Sequence, residues 1–456
     1  MGKPKMALNW TGRMVHEAVS FVVFSFLDLL DFVLCFVYKL LDFLIEAEWK
    51  PCYCTSPKDS KIFLSERGES RIVSLASTKL DLEEVSDTLF SRPSLVSEVS
   101  KLTAVTEDVS FTVNSATVVK MLQGKIGGGG GDRIRHSPRW SDCDCRFCTS
   151  WSFSGTEDLF VRVQGSKDHN RAREDVLFIH GFISSSSFWT ETLFPNFSAT
   201  TKSTHRMFAV DLLGFGRSSK PSDSLYTVRE HLETIERSVL APHKVRSFHI
   251  VAHSLGCILA LALAVRHPDA VKSITLLAPP YFPVPEGVPA TQYVMRKLAP
   301  RRVWPTIAFG ASMACWYEHI SRTICLLICK QHRIWEFLAK LVTRNRVPTF
   351  LLEGFFCHTH NAAWHTLHNI ICGTGGKLDG YLDDVRDRLR CHVNVFHGGD
   401  DELIPVECSF NVQRRVPRAR VKVVDGKDHI TIVVGRQRAF ARELEQIWRR
   451  ASSSLS

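Results

Sequence analysis

The sequence predicts an α/β fold: a mostly parallel sheet with helices on both faces, a helical cap insertion and an N-terminal membrane-targeting extension. Three observations carry this expectation. From about Trp151, short β-branched apolar runs alternate with helical patterns, the texture of a parallel sheet. That alternation stops near residue 282 and resumes near 391, so an insertion lies between. A serine also sits in a small-residue turn, Ala252-His253-Ser254-Leu255-Gly256, between an apolar strand and a long Leu/Ala helix.

Bulk properties narrow the class. A length of 456 residues with 45% apolar and 23% charged residues is ordinary for a globular chain. The net charge of +10 suggests attraction to polyanions such as anionic lipid or acidic polysaccharide. Zinc-finger spacing, a Walker loop and RNA-binding signatures are absent from the sequence, which argues against nucleic acid as a partner. No cofactor motif stands out. Fourteen cysteines exceed cytosolic habit and fit an oxidising compartment.

Taken in order, residues 1–50 read as a hydrophobic signal or anchor segment. Lys3, Lys5 and Arg13 precede an apolar run from Ala18 that continues to Ile45. Asp28, Asp31, Lys39, Asp42 and Glu46 interrupt it at spacings that put them near one helix face. A cleaved signal peptide, an uncleaved anchor and a helix lying in the membrane interface all fit, with charges turned towards headgroups in the last case. A buried helix of a soluble fold is the competing reading; the expectation is that the segment routes the chain into the secretory pathway and holds it to a membrane or wall. Cys52 and Cys54 are candidates for lipidation or disulfides. The sequon Asn196-Phe197-Ser198 makes Asn196 a candidate glycosylation site.

Residues 51–150 read as a poorly ordered linker rich in Ser, Gly and Cys, with weak helical character over 72–89 and five consecutive glycines from Gly127. Cys143, Cys145 and Cys148 close it. Three neighbouring thiols suggest a metal, but no fourth ligand stands at a zinc-site spacing, so disulfides, with Cys52 or Cys54 as candidate partners, are the expectation and no metal is assigned.

The core occupies 151–282 and 391–456. Its expected strands are Leu159–Val163, Asp175–Ile179, Met207–Asp211, Phe248–Val251, Val271–Leu277, His392–Phe396 and Val421–Val424, with helices near Val228–Leu240 and Gln437–Arg450. The insertion, 283–390, is Trp-, Phe- and Cys-rich. It carries four histidines, His358, His360, His365 and His368, read as cap packing or pocket polarity because no thiol or carboxylate at matching spacing completes a metal site.

Chemistry converges on Ser254. A serine hydroxyl is scarcely ionised at neutral pH, so it needs a base, an acid to orient that base, and donors for the developing oxyanion. Asp401, in His397-Gly398-Gly399-Asp400-Asp401, follows one predicted strand, and His429 follows the last. Asp401 is preferred to Asp400 by its place between Gly398 and Pro405. The order Ser, Asp, His is that of a catalytic triad on this kind of sheet. Backbone N–H groups of Phe182 and Leu255 are the candidate oxyanion hole, and His180 joins the catalytic set as the side chain that braces the Gly181 loop. Ser184–Ser187 read as a hydrophilic loop.

These residues resemble the α/β-hydrolase family: His180-Gly181-Phe182, Asp211-Leu212-Leu213-Gly214-Phe215-Gly216, the Ser254 elbow, Gly398 with Asp401, and His429 stand in family order. With the N-terminal extension and the Cys-rich segment, the chain is similar to the plant BODYGUARD family of epidermal hydrolases tied to cuticle formation. That resemblance implies an extracellular, membrane- or wall-associated serine hydrolase of lipid or cutin-related esters, of lysophospholipase type. A transacylase, and a ligand-binding signalling protein on the same fold, remain alternatives.

Overall fold

A computed structural model describes residues 10–46, 73–75, 78–80, 85–89, 139–145, 148, 158–165, 174–222 and 224–453. Cys52, Cys54 and the glycine run lie outside them. The chain forms two compact units: residues 1–82, 87–132 and 295–324 make one, and 83–86, 133–294 and 325–456 the other.

The first unit is built on α1 (Trp10–Glu46), an uninterrupted helix of 37 residues. It is long and apolar enough to cross a membrane. Phe24, Leu27, Asp31, Cys35, Tyr38 and Asp42, spaced three or four apart, are its buried stripe. The charges in that stripe do not face outward as the sequence suggested. Asp31 accepts the backbone N–H groups of His319 and Ile320 at 2.8 and 3.0 Å. Asp42 takes both ends of the Arg322 guanidinium at 2.8 and 2.6 Å, and Asp28 lies 3.6 Å from Arg301. What α1 exposes instead is apolar: Phe21, Phe26, Phe32, Phe36, Leu40 and Leu44 are each more than half exposed. The expected helix over 72–89 is replaced, among its described residues, by paired three-residue strands, Val73–Leu75 with Thr78–Leu80, and a short turn at Asp87–Leu89.

The second unit is organised by a seven-stranded sheet of β1 (Val161–Gln164), β2 (Glu174–Ile179), β3 (His205–Val210), β4 (Phe248–His253), β5 (Val271–Leu277), β6 (His392–Gly398) and β7 (Arg420–Val424). Spatial order is β1-β3-β2-β4-β5-β6-β7, with β1 antiparallel to β3 and every other pair parallel. All six β4 residues are buried, as expected of a central strand covered on both faces.

Helices cover the sheet. In α2 (Val228–Ile235), Thr227 and Glu230 form a reciprocal cap, each side chain accepting the other's backbone N–H. In α3 (Leu255–Arg266), every residue from Leu255 to Ala264 is buried, which is why its Leu/Ala run shows no polar face. The helix Leu378–Asp387 packs against α3. The insertion supplies α4 (His332–Val342) and α5 (Thr349–Phe356), and α6 (Gln437–Ser453) closes the chain. Phe440, Leu444 and Trp448 of α6 join Phe178, Phe188, Trp189 and Phe194 in one aromatic core, against which Phe350 and Leu351 of α5 also pack.

Candidate active site

At the carboxyl ends of β2, β4, β6 and β7 the chain places the residues singled out from the sequence. Ser254 joins β4 to α3 at φ 53°, ψ −122°, a backbone conformation that costs a non-glycine residue roughly 1–3 kcal/mol. Neighbours hold it there: its N–H donates to the Leu277 carbonyl at 2.8 Å, and its carbonyl accepts the Cys257 N–H at 2.9 Å. Gly256 is required by close approach, since a Cβ there would stand 2.6–2.7 Å from the carbonyl oxygens of His180 and Ile179. Ala252 is paired between Ile179 and Leu276 and fully buried, so a single methyl fits the first small position of the turn.

Asp401 and His429 meet directly, Nδ1 to Oδ2 at 2.7 Å. The other carboxylate oxygen, Oδ1, accepts the Leu403 and Ile404 N–H groups, both at 2.9 Å. Burial would raise the Asp401 pKa, but hydrogen bonds with His397 and His429 more than reverse this and hold it below the ordinary carboxylate range. His397 is in turn fixed by Ile404 O at 2.9 Å and Ser409 Oγ at 2.6 Å. Asp400 is exposed, and its backbone N–H donates to Lys427 O.

His253, the residue before Ser254, ties His429 to the turn. Its Nε2 donates to the His429 carbonyl at 2.9 Å, and the two rings lie 4.6 Å apart between centroids. Burial, and then the nearness of His429, push the His253 pKa down to about 3, so it donates as a neutral ring. His253 and His397 support the site but escaped the sequence reading. Nothing in a lone His beside a serine, or at a strand end, marks its partner.

The Gly181 loop abuts the turn, for a Cβ on Gly181 would lie 3.1 Å from Ser254 Cβ. His180 is fully buried and braces this loop: Nδ1 donates to Gly181 O at 2.7 Å, and Nε2 accepts the Leu212 N–H at 2.9 Å. Burial lowers its pKa, consistent with a neutral ring that bonds on both sides. Phe182, next along, packs edge-on to Phe215, and Leu255 opens α3. Ser184–Ser187 do not form the hydrophilic loop expected. Ser185 and Ser186 are buried, the Ser186 N–H donates to Asp211, and Ser187 begins a helical turn, because α5 lies over the segment.

A family model described as the alpha/beta hydrolase fold matches residues 176–305. Along nearly its whole length the chain is similar to two Arabidopsis thaliana proteins named probable lysophospholipases. Identity is 58% to BODYGUARD 3 over 99% of each chain, and 58% to BODYGUARD 1 over 97% of this chain and 98% of that one. The chain belongs to the BODYGUARD family.

In this BODYGUARD chain the thiols depart from the sequence reading. No disulfide joins one described cysteine to another, and Cys52 and Cys54 lie outside the described residues. Cys143, Cys145 and Cys148 are not joined to one another; they gather around His332, 184 residues from Cys148 in the chain. His358 likewise meets thiols, Cys325 and Cys329, so it does more than pack the cap. His365 and His368 are buried, beside Tyr226 and Trp364. Asn196 is half-buried and its side-chain amide donates to Thr192 O at 2.6 Å.

Proposed function

We propose that the protein is a serine ester hydrolase acting on lipid or cutin-related acyl esters, with a role in cuticle formation. Ser254 Oγ attacks the acyl carbonyl while His429 Nε2 takes its proton. Asp401 holds the ring with Nδ1 protonated and stabilises the imidazolium that forms. The N–H groups of Phe182 and Leu255 receive the oxyanion. Collapse expels the alcohol, glycerophosphodiester or hydroxy-acid, which leaves with the proton from His429. Water, deprotonated by the same ring, then releases the acid and restores Ser254. His180 acts as a positioning residue through Gly181 and Leu212.

The observation that carries this reading is the 2.7 Å His429–Asp401 pair beside a serine held at φ 53°. The test is labelling with a fluorophosphonate probe together with hydrolysis of lysophosphatidylcholine. Ser254→Ala should abolish both, with the variant still folded. Undiminished labelling of the variant would place the nucleophile elsewhere.

We also propose that α1 is retained and holds the enzyme to a membrane of the secretory route or cell surface through its exposed apolar face. Its inward charges are engaged by residues 301–322, an arrangement a cleaved signal would not need. Replacing Phe26, Phe32 and Phe36 by Glu should move the protein from the membrane to the soluble fraction. Unchanged fractionation would reject this role for the face.

A further inference from the structure

Away from the active site the second unit contains two clusters of thiols and imidazoles. In the first, the ligand atoms of Cys143, Cys145, Cys148 and His332 all lie within 4.8 Å of one another. His332 Nε2 is 3.3 Å from Cys145 Sγ and 3.7 Å from Cys148 Sγ. In the second, His358 Nε2 is 3.8 Å from both Cys325 Sγ and Cys329 Sγ.

We propose that both clusters are structural zinc sites, one Cys3His and one Cys2His2, which staple the Cys-rich segment and the cap to the hydrolase core. Tetrahedral zinc with Zn–S about 2.3 Å and Zn–N about 2.0–2.1 Å sets the sulfur-to-nitrogen edge at about 3.6 Å, and the four distances bracket that value.

The surroundings fit as well. His332 Nδ1 is bonded to Glu336 Oε1 at 2.9 Å and His358 Nδ1 to Phe355 O at 2.7 Å. In each ring the outer nitrogen is therefore the donor, leaving Nε2 with its lone pair towards the thiols, the usual outer-shell arrangement of a metal-bound histidine. The Cys148 N–H points at Cys145 Sγ at 3.5 Å, which supports a thiolate. Cys325 and Cys329 are one helical turn apart, joined by the Cys329 N–H to Cys325 O bond at 2.8 Å. The fourth ligand of this cluster would be His360, which is buried and has an Nδ1 without a hydrogen-bond partner; it lies outside the 4.8 Å set of Cys325, Cys329 and His358, so its ring must swing in to complete the tetrahedron.

Asp142 links the two clusters, since it precedes Cys143 and accepts the His360 N–H at 3.3 Å. Five thiols and three imidazoles of mixed type in four-ligand sets suit zinc better than a hard cation. Both sites are closed by protein ligands, which marks a structural role.

What they hold is the wall of the active site. His358 forms a β-bridge with Phe215, and Cys357 Sγ donates to Gly216 O at 3.0 Å. The loop so anchored begins at Leu212, whose N–H fixes His180.

The test is metal content of the purified full-length protein, made without added metal or chelator and measured by plasma mass spectrometry. About two zinc ions per chain are expected, both released when a mercurial blocks the thiols and both read by a colorimetric zinc indicator. Cobalt loaded in their place should give the thiolate charge-transfer and tetrahedral d–d bands, a readout that needs no variant. His332→Ala should lose one ion and Cys329→Ser the other. Substoichiometric zinc with no cobalt–thiolate band would overturn the proposal, as would a native disulfide among Cys143, Cys145 and Cys148. An ion that persists undiminished in His332→Ala rejects the first site, and one that persists in Cys329→Ser rejects the second.

Discussion

Replacing Asp401 by Asn tests the candidate triad at the point where the geometry is most restrictive. The two carboxylate oxygens have different tasks: Oδ1 accepts two backbone N–H groups, while Oδ2 faces His429 Nδ1 at 2.7 Å. An asparagine must keep its oxygen on the Leu403 and Ile404 side, or it would set an NH2 against two donors. Its Nδ2 then points at His429 Nδ1 and donates to it. The imidazole is driven to the tautomer with its proton on Nε2, and a protonated Nε2 cannot take the Ser254 proton. Loss of the correct tautomer in a Ser-His-Asp system costs about 10⁴ in kcat, or roughly 5.5 kcal/mol of transition-state stabilisation. Asp400→Asn should change kcat less than about twofold, because that side chain is exposed and only its backbone is engaged. The assay is kcat on lysophosphatidylcholine or a nitrophenyl ester for both variants, with melting curves to confirm folding. An Asp401→Asn enzyme that keeps more than about a tenth of wild-type kcat would refute the assignment, as would Asp400→Asn falling just as far.

Three further outcomes follow from other parts of the structure. Gly181→Ala should cut kcat by at least tenfold while the protein stays folded, because the new methyl would lie 2.9 Å from His253 Nδ1 and 3.1 Å from Ser254 Cβ; unchanged kinetics would mean the loop can retreat. Glu174 lies where β2, β4, β5 and the C-terminal helix meet, bonded to His249 at 3.0 Å, Lys272 at 3.4 Å and Ser452 at 2.5 Å. Burial raises its pKa, but hydrogen bonds from His205, His249 and Ser452 outweigh that and depress it. Its contribution to stability is therefore present above the unfolded value of about 4.3 and is lost as pH falls below it. Glu174→Gln should flatten the acid side of the melting-temperature profile, and an unaltered slope would assign acid lability to other carboxylates. Arg322→Ala leaves Asp42 buried without its bidentate partner and should destabilise the first unit by about 3–5 kcal/mol, whereas the double change Asp42→Leu/Arg322→Met should recover much of it in thermal unfolding.

Much of the candidate site was legible because its signals are local. The β4–α3 turn is written in five consecutive residues, and Gly256 is explained by two carbonyls that approach it. Strand limits followed from β-branched runs bounded by turns. The parts that escaped depend on pairing across the chain. His332 could not be found as a fourth ligand by spacing, since the thiols precede it by 184 residues or more and only the fold brings them together. His253 and His397 look like any strand-end histidines until their acceptors are known. Ser185 and Ser186 read as solvent-loving because no sequence pattern announces that α5 covers them.

The polar stripe of α1 exposes a different weakness, because periodicity locates a face but does not say what the face meets. Asp28, Asp31 and Asp42 do share a face, and that face is turned into the first unit, where Arg301, His319 and Arg322 engage it. The helix is thus amphipathic in the reverse sense, with its charges inside and its Phe and Leu side chains outside. Water is a poor neighbour for such a face. At roughly 1.5–3 kcal/mol for each fully buried large side chain, five or six of these residues entering lipid gain about 10 kcal/mol. A helix crossing alone would have to put its acids into hydrocarbon, at about 2.5–3.5 kcal/mol for each Asp near the centre. With the acids paired inside the unit, that penalty does not arise. A helix of 37 residues is also about 55 Å long, against a hydrocarbon core of about 30 Å. On these magnitudes the proposed membrane contact is made along the length of α1, with the residues that pair its acids remaining beside it.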